Sequence, residues 1–240
     1  MIKFRAAALS DIGKVRRENE DRVLFDEKIR VFGIADGVGG LPGGAKAAQR
    51  AADEVTAALR AASPTELPDL NAIVRKANEA VISLGRRVSP MMGIGTTLTF
   101  GHIQDGCLRI AHVGDSRCYG WRVGEFQCLT EDHSVENGAR LRRARGEVVY
   151  YNEEHRNVLT RCIGQSVPPE ADLIVRELKA GDRYLFSTDG VSRTLLDQEL
   201  RDLMGAEGDA ADLVRGPVAM ALQRGGPDNA TGVLLIIDEV

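Results

Sequence analysis

Four aspartates recur in one setting. Asp36 ends the apolar run Val31-Phe32-Gly33-Ile34-Ala35 and is followed by Gly37-Val38-Gly39-Gly40. Asp115 follows Gly114, Asp189 precedes Gly190, and Asp228 follows the turn Gly225-Gly226-Pro227. Each sits where an apolar run gives way to a glycine turn, or the reverse. One such Asp is explained by a strand and a turn whose amides it bonds. Four are explained better by strand ends meeting at one edge, with the carboxylates in a common pocket. Clustered carboxylates repel and raise one another's pKa unless cations neutralise them. Mg²⁺ and Mn²⁺ suit such a pocket, because they take carboxylate, carbonyl and water oxygens.

Other chemistries fit less well. His102, His112, His133 and His155 are scattered and read as structural, with no zinc spacing. The four cysteines (Cys107, Cys118, Cys128 and Cys162) form no CxxC pair. None has an Arg at the spacing of a phosphate-binding Cys loop, so they read as reduced, partly buried thiols. A phosphate-cradling loop needs Lys after its last Gly, but Ala45 follows Gly44. The dinucleotide fingerprint that starts at Gly37 and Gly39 fails at Pro42.

The elements that must position these acids follow from periodicity. Val23-Leu24-Phe25 reads as a strand. Ala45 to Ala61 carries an apolar stripe at helical spacing, and Ser63-Pro64 interrupts it. Asp69 opens a second helix. Thr96 to Ile103, Cys107 to Val113 and Arg117 to Arg122 read as successive strands, the first two joined by the hairpin signal Asp105-Gly106. Phe126 to Leu129, Leu173-Ile174-Val175, Arg183 to Ser187 and Gly232 to Ile237 add further strands. Leu195 to Met204 reads as helical, and so does the stretch from Asp209, with a kink or restart at Gly216-Pro217. From about Ser134 to Gly164 the pattern loosens into a charged excursion, read as a surface flap. Its Arg140, Arg142, Arg143 and Arg145 read as a solvated helix face, or more sharply as a surface that meets anionic phosphopeptides.

The chain has 240 residues, 43% hydrophobic and 28% charged, with a formal net charge of -4. That composition suits a globular protein and argues against nucleic acid as partner. The apolar run Val233 to Ile237 is too short to span a bilayer, and Ala6 to Leu9 is too short for a signal segment. We expect a cytoplasmic monomer.

Several motifs occur in order: Arg16 through Asn19-Glu20-Asp21, Ala35-Asp36-Gly37-Val38-Gly39-Gly40, Gly95-Thr96-Thr97, Val113-Gly114-Asp115-Ser116-Arg117, Asp132-His133-Ser134, Ser187-Thr188-Asp189-Gly190 and Asp228-Asn229-Ala230-Thr231. Together they resemble the metal-dependent Ser/Thr protein phosphatases of the 2C type, the PPM family, in its bacterial branch. The resemblance runs from about Asp11 to the C-terminus. It implies an α+β fold: a four-layer α-β-β-α sandwich of two mainly antiparallel sheets flanked by helices. Residues 1–240 would form one such domain, with the flap at about 134–164.

The resemblance also implies roles. Asp36 would bridge two metals, Mn²⁺ or Mg²⁺, with the Gly37 carbonyl on one of them. Asp189 and Asp228 would complete the shell of the first metal, while Glu20 and Asp21 would hold metal-bound waters. Asp115 with Asp189 would match a third-metal site. Arg16, selected over Arg17 by its spacing from Gly13, would bind phosphate. Metal-bound water would then hydrolyse phosphoserine or phosphothreonine with no covalent intermediate, on a Ser/Thr kinase or that kinase's targets. One departure stands out. Many eukaryotic members carry a His after the metal-binding Gly, proposed as general acid, where this chain has Val38. Two other readings compete: a catalytically silent binding module, which the intact acids oppose, and another two-metal hydrolase such as a nuclease, which the acidic balance opposes.

Overall fold

The structure is a computed structural model that describes residues 2–63 and 66–240. Among the described residues ten strands form two five-stranded antiparallel sheets. The first sheet contains β1 (Lys3–Asp11), β6 (Arg117–Arg122), β7 (Glu125–Cys128), β9 (Arg183–Ser187) and β10 (Ala230–Glu239), in the order β1-β10-β9-β6-β7. The second contains β2 (Arg22–Asp26), β3 (Val31–Ala35), β4 (Leu98–Gln104), β5 (Cys107–Val113) and β8 (Asp172–Glu177), in the order β2-β3-β4-β5-β8.

Side-chain alternation explains why the central strands look uniformly apolar. In β10, Val233, Leu235 and Ile237 face the core between the sheets, while Leu234 and Ile236 face helices. In β3, Phe32 and Ile34 join the inter-sheet core, while Val31 and Ala35 face the other way. A strand buried on both faces reads as a continuous apolar run rather than an alternating one. Helices α1 (Gly44–Ala61) and α2 (Leu70–Val88) cover the second sheet. Helices α5 (Asp197–Gly205) and α6 (Ala210–Gln223) cover the first. The expected four layers are therefore present.

Local signals were mostly obeyed. Asp69 caps α2 by accepting the Ala72 N–H. Asp105 and Gly106 both have positive φ, as the β4–β5 hairpin turn requires. The expected break after α1 at Ser63-Pro64 lies partly outside the described residues.

Three features differ from expectation. Strand β1 was not foreseen, because Ala6-Ala7-Ala8 carries neither alternation nor strand propensity. It forms because β10 pairs with it along its whole length, from Lys3 opposite Glu239 to Asp11 opposite Ala230. Helix α6 runs unbroken through the buried Pro217. Gly216 lets this turn pack on Leu203 of α5, since a Cβ there would lie 3.0 Å from Leu203 Cδ2. The stretch read as helical from Leu195 to Met204 starts at Asp197, as α5, and a single turn not expected from the sequence, α4 (Asp189–Ser192), precedes it.

Candidate active site

Sheet register brings the acids to one edge. Asp11 at the end of β1 lies opposite Ala230, the first residue of β10. Arg22, the first residue of β2, lies opposite Ala35, the last of β3. Ser187 of β9 pairs with both Gly232 and Arg117. Asp21, Asp36, Asp115, Asp189 and Asp228 all flank these same strand ends. Glu20, Asp36, Asp115, Asp189 and Asp228 line one cavity of about 590 Å³, together with Arg16, Gly37 and Val38. Asp21 lies behind it and is only 3% exposed.

Arg16 reaches the cavity from the loop after β1, and its Nη2 lies 2.6 Å from Asp228 Oδ2. Arg17 is exposed and not among the residues that line the cavity. Two residues hold the Arg16 loop. Gly13, at φ +78°, packs so tightly that a Cβ would lie 2.2 Å from the Asp228 carbonyl oxygen. Asn229 accepts the Glu20 N–H and donates to the Ile12 and Glu18 carbonyls, tying the loop to the Asp228 turn. Asn229 stands in the motif Asp228-Asn229-Ala230-Thr231, but its sequence position alone does not show this role.

The other acids are held as firmly. The Asp36 N–H donates to Thr97 Oγ1, and the Thr96 hydroxyl donates to the Asp36 carbonyl. Glu20 accepts the Ala45 N–H at the start of α1, where the absence of a Cβ on Gly44 leaves room for Glu20 Oε1, 2.5 Å from where that Cβ would be. His133 fixes the Asp115 turn: its N–H donates to the Gly114 carbonyl, and its Nδ1 accepts the Gly114 N–H. His112 is fully buried between Thr99 Oγ1 and the Glu131 carbonyl. Both histidines are structural, as expected.

The electrostatics are those of crowded acids. Burial, then repulsion from Asp21, Asp189, Asp115 and Asp228, raises Asp36 well above the usual carboxylate range. Burial pushes Asp115 up to about 7, with Asp189 adding to the rise and Arg193 opposing it. Burial pushes Asp21 up to about 6, and it raises Asp189 and Glu20 as well. Burial likewise pushes the Cys162 thiol, on the cavity wall, up to about 11. That thiol stays protonated at neutral pH and is no nucleophile.

Arg193 was missed entirely. It lies one helical turn after Asp189, and its Nη2 is 2.5 Å from Asp115 Oδ2 while its Nε is 3.5 Å from Asp189 Oδ2. The i,i+4 spacing from Asp189 was the available signal. The flap arginines are not brought to the cavity. Arg140 bonds Asn137, Arg142 pairs with Glu147, Arg143 bonds the Val149 carbonyl beside Tyr151, and Arg145 is exposed at the end of α3 (Val135–Ala144). The flap residues on the cavity wall are Glu154, Asn157, Val158, Leu159 and Cys162.

The donor chemistry fits hard divalent cations at Asp36, Asp189 and Asp228. Asp21 Oδ2 accepts the Thr188 hydroxyl, but its Oδ1 is buried with no hydrogen-bond partner. A buried carboxylate oxygen of this kind suits a cation or a cation's water beside it. Among the described residues, no three Asp, Glu, His or Cys side chains already stand at metal-holding distance. Arg16 and Arg193 hold Asp228 and Asp115 instead. At the Asp115–Asp189 pair the fit fails, because a guanidinium stands on both acids.

Fold and acids together put the chain in the class of metal-dependent protein phosphatases. A profile of the family described as Protein phosphatase 2C matches residues 16–215. The serine/threonine protein phosphatase PstP of Mycobacterium tuberculosis is 34% identical over 239 residues, an overlap of 97% of this chain and 45% of that protein. The chain thus spans less than half the length of that relative. Protein phosphatase PhpP of Streptococcus pneumoniae is 30% identical over 243 residues, with 96% of each chain covered. The solved catalytic domain of PstP, in complex with two manganese ions, matches with a TM-score of 0.86 at 31% identity, over 100% of both chains. The chain belongs to the protein phosphatase 2C family.

Proposed function

We propose that this chain hydrolyses phosphoserine and phosphothreonine in proteins, using two Mn²⁺ or Mg²⁺ ions. The observation that carries the proposal is the convergence of five cavity-lining acids with Arg16 at one edge of the double sheet. In this reading Asp36, Asp189, Asp228 and the Gly37 carbonyl would hold the ions, and Glu20 and Asp21 would bond the water that comes with them. Bound cations of this kind neutralise charge and activate water for attack on phosphorus.

The chain's own residues do the rest. Arg16 presents N–H donors that suit phosphate oxygens bidentately. Asn229 and Gly13 keep the Arg16 loop against the acids. Val38 supplies an apolar wall and cannot give a proton to the leaving group. The protonated Cys162 takes no part as nucleophile.

Residues 1–240 form one phosphatase domain in this proposal, with the flap at about 134–164 deciding which phosphoproteins enter. Among the described residues no helix is long and apolar enough to cross a membrane. We take the chain to act as a cytoplasmic monomer on a Ser/Thr kinase or its targets. Arg140, Arg142, Arg143 and Arg145 would act at a distance from the cavity, on acidic sequence flanking the phosphate.

The test is phosphate release from a phosphothreonine peptide with Mn²⁺, with Mg²⁺ and with chelator, alongside Asp189→Asn. We expect turnover that requires metal and falls at least ~10²-fold in the variant, the scale of losing one preorganised charge at the reacting centre. A wild type that binds metal yet releases no phosphate would sink the proposal in favour of a silent binding module.

A further inference from the structure

Two of the cavity acids share one cation. Asp115 and Asp189 flank Arg193, which lines the same cavity as both. The placement is built into the backbone. Arg193 closes the single turn of α4, and its N–H donates to the Asp189 carbonyl at 2.9 Å. That bond sets the side chain over Asp189 at i,i+4 and directs its far end to Asp115. Asp115 is itself held by the reciprocal His133–Gly114 bonds. The guanidinium is thus held at both acids, by a hydrogen bond to Asp115 and an ion pair to Asp189.

A divalent cation between two carboxylates needs oxygen donors around it. A guanidinium offers only N–H donors, has no acceptor and keeps its proton in proteins. It therefore supplies positive charge to the pair while excluding a metal from the same space. Arg16 on Asp228 is different. It approaches one acid only and is 41% exposed, so it can swing away. Arg193 engages two acids and is 29% exposed.

We propose that Arg193 is a built-in counter-ion for the Asp115–Asp189 pair, standing in place of a third metal, so that this chain holds two divalent ions and not three. The proposal rests on the metal-dependent phosphatase reading above. It also separates the roles of the two acids. Asp189 serves both a metal and Arg193, whereas Asp115 serves Arg193 alone.

The test counts Mn²⁺ bound per intact chain by equilibrium dialysis, with titration calorimetry for affinity. Wild type should bind two ions, and Asp115→Asn should leave that number unchanged with less than about a twofold change in affinity. Arg193→Ser should gain a third, weaker ion, which is lost again in the double variant Arg193→Ser/Asp115→Asn. Circular dichroism checks that each variant is folded. Wild type alone keeps the idea testable should Arg193→Ser not fold. Three ions in wild type, with one lost in Asp115→Asn, overturns the proposal and leaves the phosphatase reading intact. A folded Arg193→Ser that still binds two ions overturns the claim that Arg193 occupies a cation's place. No bound ion in wild type overturns the phosphatase reading, and this proposal with it.

Discussion

At the scale of single residues, Arg16 and His112 make opposite uses of charge. Arg16 now satisfies Asp228, the acid next to which phosphate and metal would both arrive. Replacing it with Ala should lower turnover on a phosphothreonine peptide by roughly 10²–10³-fold, the range for removing one preorganised charge donor. The same change removes a cation that competes for Asp228, so Mn²⁺ should bind at least as tightly as in wild type. Weaker Mn²⁺ binding in Arg16→Ala would show instead that Arg16 shapes the acid cluster. His112 is the neutral case. Burial, aided by the neighbouring His133, lowers its pKa to about 4, from 6.5 for an ordinary imidazole. The unfolded chain therefore takes up a proton at a higher pH than the folded one. The stability His112 contributes is complete above pH 6.5 and is lost as pH falls toward 4. The full shift corresponds to roughly 3 kcal/mol. His133, which faces Asp172, is also lowered and acts in the same direction. We expect urea denaturation of wild type to lose about 2–3 kcal/mol more than His112→Gln between pH 7 and pH 4.5. Equal losses in the two proteins would mean that His112 is protonated in the fold.

At the scale of elements, function depends on turns that close between strands far apart in sequence. Gly13 is the sharpest instance, with the Asp228 carbonyl where its Cβ would be. Gly13→Ala should displace the loop that carries Arg16 while leaving the β1–β10 ladder in place. We expect a loss of roughly 1–3 kcal/mol, as for other strained backbone sites. Turnover should fall at least tenfold with an unchanged circular dichroism spectrum, and unaltered turnover would refute the role given to this turn. Much of this architecture was legible beforehand. The four Asp–Gly settings, the Asp69 cap and the Asp105-Gly106 turn are local signals, and the structure honours each. What stayed hidden depends on distant partners. The alanines of β1 make a strand only because β10 lies beside them. Pro217 sits inside a helix because α5 and the sheet hold the helix around it. Arg193 looked like any exposed charge until the Asp115 turn was brought opposite it. The flap arginines show the converse. Their charge was plain in sequence, but the flap folds them onto its own residues and sends Glu154 and Asn157 to the cavity instead.

At the scale of the whole molecule, the acid edge is a point of stored repulsion in an otherwise well-packed sandwich. Both sheets end there, and Asp36, Asp21, Asp115 and Asp189 are all held above their ordinary range, chiefly by burial. A folded chain that gathers carboxylates in this way is stabilised by any cation that binds it and not the unfolded chain. For one site at a hundredfold excess over Kd the gain is about 2.7 kcal/mol. In a protein of this size each kcal/mol moves the melting temperature by roughly 2–4 °C. Saturating Mn²⁺ should therefore raise the melting temperature of chelator-treated protein by at least about 5–10 °C, and more when the second ion is counted. Asp36→Asn removes the carboxylate that faces the other four acids. It should melt higher than wild type in chelator, because the repulsion is relieved, and should lose most of the Mn²⁺ response. The crossover separates a shared metal site from a merely crowded acidic edge. A crowded edge would also be relieved by the amide, but wild type would then show no more Mn²⁺ response than the variant. A differential scanning experiment on the two proteins, each with Mn²⁺ and with chelator, reads both effects at once.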